Sequence, residues 1–310
     1  MYPGHPRPTA LHAMAIRLPR ADQESWRPWG MIEASSGDPA VAGRPAPAAT
    51  TGRKADFPIM HLNVLAISDE VDQRIYSSSI AERMGDVSMV ISCGDLPANY
   101  LEFLSSALNR PVYYVLGNHA EELTRVGERG IPRHPEGCID LGGKVITDPQ
   151  TGLILAGLPG SPRYSEREPV QFTERQMRWK ILKMTPRLLW NKYRHGRALD
   201  ILVTHAPPRD VGDRDDLAHR GFTSMRGFLE RFQPVYQLHG HIHLYDRSKP
   251  FSQRFAETEV INVYPYQKLE LAFTGLENPA SMAAAVPEAQ GSDPLAAPAP
   301  SGSLTTESRP

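Results

Sequence analysis

The chain has 310 residues, of which 40% are hydrophobic and 22% charged, and its formal net charge is -1 at pH 7. A net charge so close to zero argues against nucleic-acid binding through the overall charge of the protein, although a local basic patch is still compatible with it. No apolar run approaches the roughly 18 residues that a membrane span needs, and no continuous apolar signal segment precedes the first predicted strand. With only two cysteines, Cys93 and Cys138, these features predict a cytoplasmic protein without a membrane partner.

The two ends of the chain differ in composition from its middle. Residues 1–57 and 277–310 are rich in Pro, Ala and Gly, without a sustained hydrophobic period. Such segments bury too little apolar area to offset the entropy of ordering. We predict two disordered segments around one folded domain at 58–276. Met60 directly precedes the first predicted strand, so the sequence is compatible with translation from Met1 or from Met60.

Apolar strands and amphipathic helices alternate within the predicted domain. The first five elements are a strand, a helix, a strand, a helix and a strand, at 61–68, 73–85, 87–93, 97–109 and 111–117. This order predicts an α/β sheet with right-handed crossovers. There follow a hairpin around 148–152, a helix at 171–193, a strand at 200–205, a helix at 224–232 and strands at 235–245 and 259–273.

Polar side chains follow the ends of the predicted strands. They are Asp69, Asp95, Asn118 with His119, His205, and His241 with His243. Because the carboxyl ends of parallel strands share one edge of a sheet, we expect these residues to converge. Carboxylates, an amide oxygen and imidazoles are suitable ligands for divalent metal ions. The pattern therefore predicts a metal centre.

The same segments carry a family resemblance. In chain order they are SD, CGDL, LGNH, VTHAPP and HGHIH, over about residues 64–245. They resemble the calcineurin-like metallophosphoesterase superfamily, and in particular small bacterial members with GDLPxxYLEFL, THAPP and AHRGF. The resemblance implies a four-layer α/β sandwich of two mixed β-sheets flanked by helices. It also implies hydrolysis of phosphomonoesters or phosphodiesters with two divalent metal ions, most often Mn, Fe or Zn.

The resemblance further implies a role for each residue at the strand ends. Asp69 and His243 bind the first metal, Asp95 bridges both, and the second is bound by Asn118, His205 and His241. Two bridged cations lower the pKa of a shared water, and the hydroxide attacks phosphorus. His119 assists the leaving group. The expected substrate is a phosphorylated small molecule or nucleotide, with a phosphodiester favoured.

Three departures from the family pattern change these expectations. The family usually has Asp-x-His in its first motif, and Val71 stands at the position of the His, so we expect a weaker first metal site. Asp72 is predicted to cap a helix beginning at Gln73, with metal ligation as the alternative. Ala120 replaces the acidic residue that often follows GNH, and Glu121 is a candidate replacement. The GDxxDRG motif of Ser/Thr protein phosphatases is absent, which argues against a phosphoprotein substrate.

Two further regions leave alternatives open. Arg209, His219 and Arg220 lie in the loop after His205 and either contact a substrate phosphate or are solvated loop residues. The basic stretch at 163–197 is either a solvated helix face or a surface that attracts anions. Two rival functions follow: a metal-depleted interaction scaffold, which the absent first-motif His suggests, and a nuclease that uses the basic stretch.

Overall fold

A computed structural model describes residues 59–125, 133–245 and 251–275. The predictions of disorder at 1–57 and 277–310, and the question of the starting Met, lie outside these residues. None of the helices within the described ranges is long and apolar enough to cross a membrane. The predicted cytoplasmic location stays a prediction.

The described residues contain short strands and five helices. The strands are β1 Ile59–Ile67, β2 Met89–Ser92, β3 Val112–Tyr114, β4 Cys138–Asp140, β5 Val145–Thr147, β6 Ile154–Leu158, β7 Ser161–Pro162, β8 Gln171–Phe172, β9 Ile201–Thr204, β10 Tyr236–His239, β11 Ser252–Phe255, β12 Thr258–Asn262 and β13 Tyr266–Thr274. The helices are α1 Ile80–Met84, α2 Ala98–Leu108, α3 Glu121–Thr124, α4 Glu174–His195 and α5 Thr223–Phe232.

The longer strands form two mixed sheets. The five-stranded sheet has the order β13-β1-β2-β3-β4, and the six-stranded sheet has the order β11-β12-β10-β9-β6-β5. The central strands of each sheet are parallel to one another, while β13 in the first sheet and β5 and β11 in the second are antiparallel to their neighbours. The carboxyl ends of the parallel strands therefore lie at one edge of each sheet.

The two sheets pack face to face and helices cover their outer faces. Alternate residues of β1, such as Val64 and Ala66, lie in the core between the sheets. Their neighbours Leu65 and Ile67 pack against α1 and α2 on the other side. Helices α4 and α5 cover the outer face of the six-stranded sheet. This is the predicted four-layer sandwich, and β1 is apolar throughout its second half because both of its faces are buried.

The first predicted helix is much shorter than expected. The backbone carbonyl of Asp72 accepts hydrogen bonds from the N–H groups of Ile75 and Tyr76, which forms a turn, and the helix covers only Ile80–Met84. Serines at 77–79 separate the turn from the helix. Serine side chains compete with helical hydrogen bonds by binding nearby polar groups, which explains the short helix. The prediction that Asp72 caps a helix is therefore wrong.

The long fourth helix begins three residues later than predicted. The Thr173 hydroxyl accepts from the N–H of Gln176 at 3.3 Å, and the Gln176 side-chain oxygen accepts from the N–H of Thr173 at 2.8 Å. This reciprocal capping box marks Glu174 as the first helical residue. The strand predicted at 235–245 likewise ends early, at His239, because His241 adopts a left-handed φ of 65°.

Candidate metal centre

The predicted site residues meet where both sheets present the carboxyl ends of their strands. Asp69 follows β1, Asp95 follows β2 and Asn118 follows β3 in the five-stranded sheet. His205 and His241 follow β9 and β10 in the six-stranded sheet. Because the sheets are stacked, the two sets of loops face each other, and residues far apart in the sequence come together.

The backbone is strained at three of these positions. Asp69, Asp95 and His241 have φ angles of 65°, 56° and 65°, in the left-handed region. Each such conformation costs about 1–3 kcal/mol for a residue other than glycine, and persists where the surroundings impose it. Three of the seven residues other than glycine that have a positive φ in the described part of the chain are therefore candidate ligands.

Two glycines allow the loops to approach one another closely. A Cβ on Gly94 would lie 2.6 Å from the backbone nitrogen of Gly117 and 2.8 Å from Nδ1 of His205. A Cβ on Gly240 would collide with the side chains of Ser68 and Asp69. A larger residue at either position would push the strand-end loops apart, which explains the Gly-Asp and Gly-His pairs of the sequence.

Asp69, Asp95 and His205 form the centre of the cluster. Each offers one ligand atom, and these atoms all lie within 4.8 Å of one another. All three side chains are almost completely buried. His205 Nε2 lies 3.1 Å from Asp95 Oδ2 and 2.9 Å from Oδ1 of Asn118.

The hydrogen bonds around His205 show that this cluster fits a cation. His205 Nδ1 lies 2.8 Å from the carbonyl oxygen of Cys93, which can only accept, so Nδ1 carries a proton. The Asn118 amide nitrogen donates to the hydroxyl of Tyr164 at 3.1 Å, which directs its oxygen towards His205. In the neutral ring, the lone pair of Nε2 therefore faces two further acceptors. Either a proton or a metal ion is needed between them.

The close contact of carboxylates and imidazoles also shifts the pKa values of the cluster. Burial by itself raises the pKa of the Asp69 carboxyl, but the imidazole of His243 and the charge of His205 outweigh it and lower this pKa to about 2. Burial by itself lowers the pKa of His205, but the carboxylates of Asp95 and Asp69 outweigh it and raise this pKa to about 9. The two carboxylates thus favour positive charge at the centre of the cluster.

His241 has one ring nitrogen occupied and the other available. Its Nε2 donates to the carbonyl oxygen of Ala218 at 2.7 Å, and its backbone N–H donates to Oδ2 of Asp69 at 2.9 Å. Burial and the nearby charge of His205 lower the pKa of His241 to about 3, so the ring is neutral and Nδ1 keeps its lone pair. A carbonyl partner on the far nitrogen is the usual arrangement for an imidazole that binds a metal.

His243 lies on the Asp69 side of the cluster. Its Nε2 is 3.6 Å from Asp69 Oδ1, and its Nδ1 is 2.9 Å from the hydroxyl of Tyr245. The ring of Tyr264 stacks on it, and the Tyr264 hydroxyl donates to Glu70 at 2.6 Å. His243 thus adds an imidazole beside Asp69, and the ring of Tyr264 covers it.

The side chains of Val71 and Asp72 have their contacts outside the cluster. Val71 is half-buried and packs against the apolar cluster beneath α1 and α2. The Asp72 carboxylate accepts from the backbone N–H of Arg74 at 2.8 Å and from its guanidinium at 2.5 Å. The carboxylate of Asp72 is therefore engaged with Arg74, and the missing first-motif His has no visible substitute there.

His119 lies beside the cluster and is largely exposed. Its backbone N–H donates to Asp95 Oδ1 at 2.9 Å, and its Nδ1 lies 2.8 Å from the carboxylate of Glu168. Glu121, the candidate replacement suggested by the sequence, instead pairs with Arg125. Glu168 was missed because it lies 49 residues further along the chain, in a loop without a motif.

The three predicted substrate contacts are engaged within their own loop. Arg209 binds the carboxylates of Asp213 and Asp215, and Arg220 donates to the carbonyl oxygen of Asp215. His219 binds Asp216, and its ring centroid lies 5.4 Å from that of His241. Of the three, His219 lies beside a candidate ligand. Substrate binding by all three stays a prediction.

Comparison with known proteins identifies the family. The family model described as calcineurin-like phosphoesterase matches residues 63–245, more than half of the chain. The chain belongs to this family. No curated protein gives a match. As a calcineurin-like phosphoesterase it is an enzyme that hydrolyses phosphoesters with divalent metal ions, and the non-enzymatic scaffold is correspondingly disfavoured.

Solved structures that match this calcineurin-like phosphoesterase share little sequence with it. One is the protein TT1561 of Thermus thermophilus, with 12% identity, a TM-score of 0.45, and coverage of 70% of this chain and 100% of the other. Another is Vacuolar Protein Sorting 29 from Cryptosporidium parvum, with 13% identity, a TM-score of 0.32, and coverage of 67% and 75%.

Proposed function

We propose that this phosphoesterase hydrolyses a nucleotide-type phosphodiester with two divalent metal ions. The observation that carries the substrate class is a cavity of about 640 Å³ next to the metal centre. Its lining consists of Glu70, Asp72, Arg74, Leu244, Tyr245, Phe251, Tyr264, Pro265, Tyr266, Gln267 and Lys268. Tyr264 and Glu70 connect it directly to His243 and Asp69.

The lining suits a planar group next to a phosphate. Four aromatic side chains provide faces for stacking, and stacking of a base on an aromatic ring contributes about 1–3 kcal/mol. The guanidinium carbon of Arg74 lies 5.1 Å from the ring centroid of Tyr266, and the Asp72 carboxylate binds this guanidinium beside the aromatic surface. A diester has a second substituent that needs such a pocket, whereas a small phosphomonoester does not.

The proposed ligand roles rest on the family pattern and on the contacts within the cluster. Asp69, Asp95 and His243 would hold one ion, and Asp95, Asn118, His205 and His241 would hold the other. Mn, Fe or Zn ions bound there would supply Lewis acidity and lower the pKa of a bound water. The carbonyl oxygens of Cys93 and Ala218 keep the rings of His205 and His241 in the tautomers that present a lone pair to the centre.

His119 acts on the leaving group. The Glu168 carboxylate accepts a hydrogen bond from Nδ1 of His119 and orients the ring. The remaining nitrogen, Nε2, then delivers a proton to the departing oxygen, which is the step that a poor leaving group needs most. The backbone N–H of His119 donates to Asp95 and so holds this loop beside the Asp95 carboxylate.

The test compares phosphodiesters with phosphomonoesters on protein loaded with Mn. We expect bis(p-nitrophenyl) phosphate and cyclic nucleotides to be cleaved with a higher kcat/KM than p-nitrophenyl phosphate. Tyr245→Ala is expected to raise KM for cyclic nucleotides, whereas Ile59→Ser, a matched exposed position at the start of β1, should leave it unchanged. A preference for monoesters would overturn the diester assignment. Rapid digestion of DNA or RNA with no cleavage of small diesters would instead support a nuclease.

A further inference from the structure

Helix α4 has two apolar faces, although only one of them packs against the protein. Met177, Met184 and Leu188 are buried on the six-stranded sheet, as their spacing predicts. Five other large apolar side chains of the same helix are exposed: Trp179 by 54%, Leu182 by 54%, Leu189 by 45%, Trp190 by 56% and Tyr193 by 83%. Such a concentration of exposed aromatic and aliphatic side chains on one helix marks an interaction surface.

The exposed residues form one continuous stripe along the helix. At about 100° per residue, their spacing places all five within an arc of roughly 100°, centred opposite the buried face. Exposed Pro186 falls in the middle of the same arc. We call these six residues the outer stripe of α4. A groove of about 360 Å³ opens beside Leu182, between α4 and α5.

Basic residues flank the outer stripe on both sides. The helix contains seven Lys and Arg residues against one acidic residue, Glu174, a net charge of +6 in a chain whose formal net charge is -1. On the helix surface Lys183, Arg187 and Arg194 lie along one border of the stripe, and Arg178 and Lys192 along the other. The stripe is thus an apolar centre between two cationic margins.

Charge and shape together decide between the occupants of this surface. A second copy would bring two faces of net charge +6 together, and their repulsion opposes a symmetric dimer through α4. Nucleic acid would use the basic margins, but it has no counterpart for the aliphatic Leu182 and Leu189. An anionic bilayer offers negative headgroups to the margins and an apolar layer to the Trp, Leu and Tyr side chains.

We propose that the outer stripe of α4 docks this enzyme on anionic lipid bilayers. The helix lies in the headgroup region with its axis parallel to the membrane. The aromatic side chains enter the boundary of the acyl layer, and the basic margins contact lipid phosphates. The sequence-based expectation of no membrane partner rested on the lack of a spanning segment, which says nothing about a helix that lies on the surface.

Flotation of the full chain with vesicles tests the proposal. We expect binding to phosphatidylcholine vesicles that contain phosphatidylglycerol to be at least about tenfold stronger than to pure phosphatidylcholine, and to weaken in high salt. Lys183→Glu with Arg187→Glu, and separately Trp190→Ser with Tyr193→Ser, should each weaken it by about tenfold or more. All four positions are exposed, so circular dichroism and thermal unfolding should match the parent protein.

Matched variants on other surfaces provide the control. Arg254→Glu changes an exposed basic residue on β11, one edge strand of the six-stranded sheet. Helix α4 contacts β5, the edge strand on the opposite side. Ile59→Ser removes an exposed apolar side chain from β1. Both should bind vesicles like the parent. The proposal would be overturned if all variants bound vesicles equally or if the parent did not bind them. It would also be overturned if the α4 variants abolished self-association or DNA binding and left vesicle binding unchanged.

Discussion

Tyr264 stacks face to face on His243, with ring centroids 4.4 Å apart and an interplanar angle of 11°. Tyr264 comes from the segment between β12 and β13, and its hydroxyl is bound by Glu70, the residue after Asp69. The stack therefore fixes the His243 ring beside the Asp69 carboxylate. Tyr264 also lines the aromatic cavity, so the stack separates this cavity from the candidate metal centre.

Removal of the Tyr264 ring should weaken the proposed first metal site. Tyr264→Ala is expected to lower metal affinity by about 10–100-fold, because partners that orient a ligand commonly contribute that much. Tyr264→Phe keeps the stack and loses only the bond to Glu70, so its effect should be smaller. Titration calorimetry with Mn or Zn measures both. Equal affinities in Tyr264→Ala and the parent would show that the stack does not orient His243.

Restoration of the family's first motif should strengthen the same site. Val71→His places an imidazole two residues after Asp69, and we expect more metal per chain than in the parent, measured by elemental analysis of purified protein. Val71 packs against an apolar cluster, so a loss of about 1 kcal/mol in stability is also expected. Val71→Leu is the matched control, since it changes the packing without a ligand. Full occupancy of two ions in the parent would mean that another group replaces the missing His.

The role of His119 should depend on the leaving group. His119→Ala is expected to lower kcat by about 10²–10⁴-fold for alkyl phosphodiesters, whose alkoxide needs a proton. The same variant should change little with p-nitrophenyl esters, whose leaving group departs as a stable anion. Glu168→Gln should have the same dependence with a smaller loss, because it removes only the orienting charge. Equal losses for all esters, at unchanged metal content, would contradict proton donation by His119.

A buried hydrogen bond away from the site should stabilise the fold. The Tyr113 hydroxyl donates to the Asp148 carboxylate at 2.7 Å, and the N–H and hydroxyl of Thr151 donate to the same buried group. Tyr113→Phe leaves this carboxylate with one donor fewer and should cost about 1–3 kcal/mol in urea unfolding. Tyr193→Phe, at an exposed position, serves as the control and should cost less than about 0.5 kcal/mol.

The order of strands and helices was predictable because hydrophobic periodicity is a local property of the chain. The alternation of strands and helices at 61–117 and the hairpin at 148–152 could be inferred in this way. The full length of the helix predicted at 73–85 could not be inferred in this way, since its residues fit a helical pattern, yet the hydroxyls of Ser77 and Ser79 bind each other outside the helix. Whether such residues are helical is decided by a small difference in free energy that tertiary contacts outweigh.

The sequence by itself determined the family, the α/β class and the candidate ligands, because each candidate lies within four residues of the end of an apolar strand and belongs to a short motif. Tertiary structure alone decided which groups support them. Glu168 reaches His119, Tyr264 covers His243, and Cys93 and Ala218 provide backbone carbonyls to the rings of His205 and His241. The outer stripe of α4 is likewise visible only once the buried face is known. These contacts join residues that share no sequence motif. Segments remote in the sequence come into contact only when the two sheets pack together.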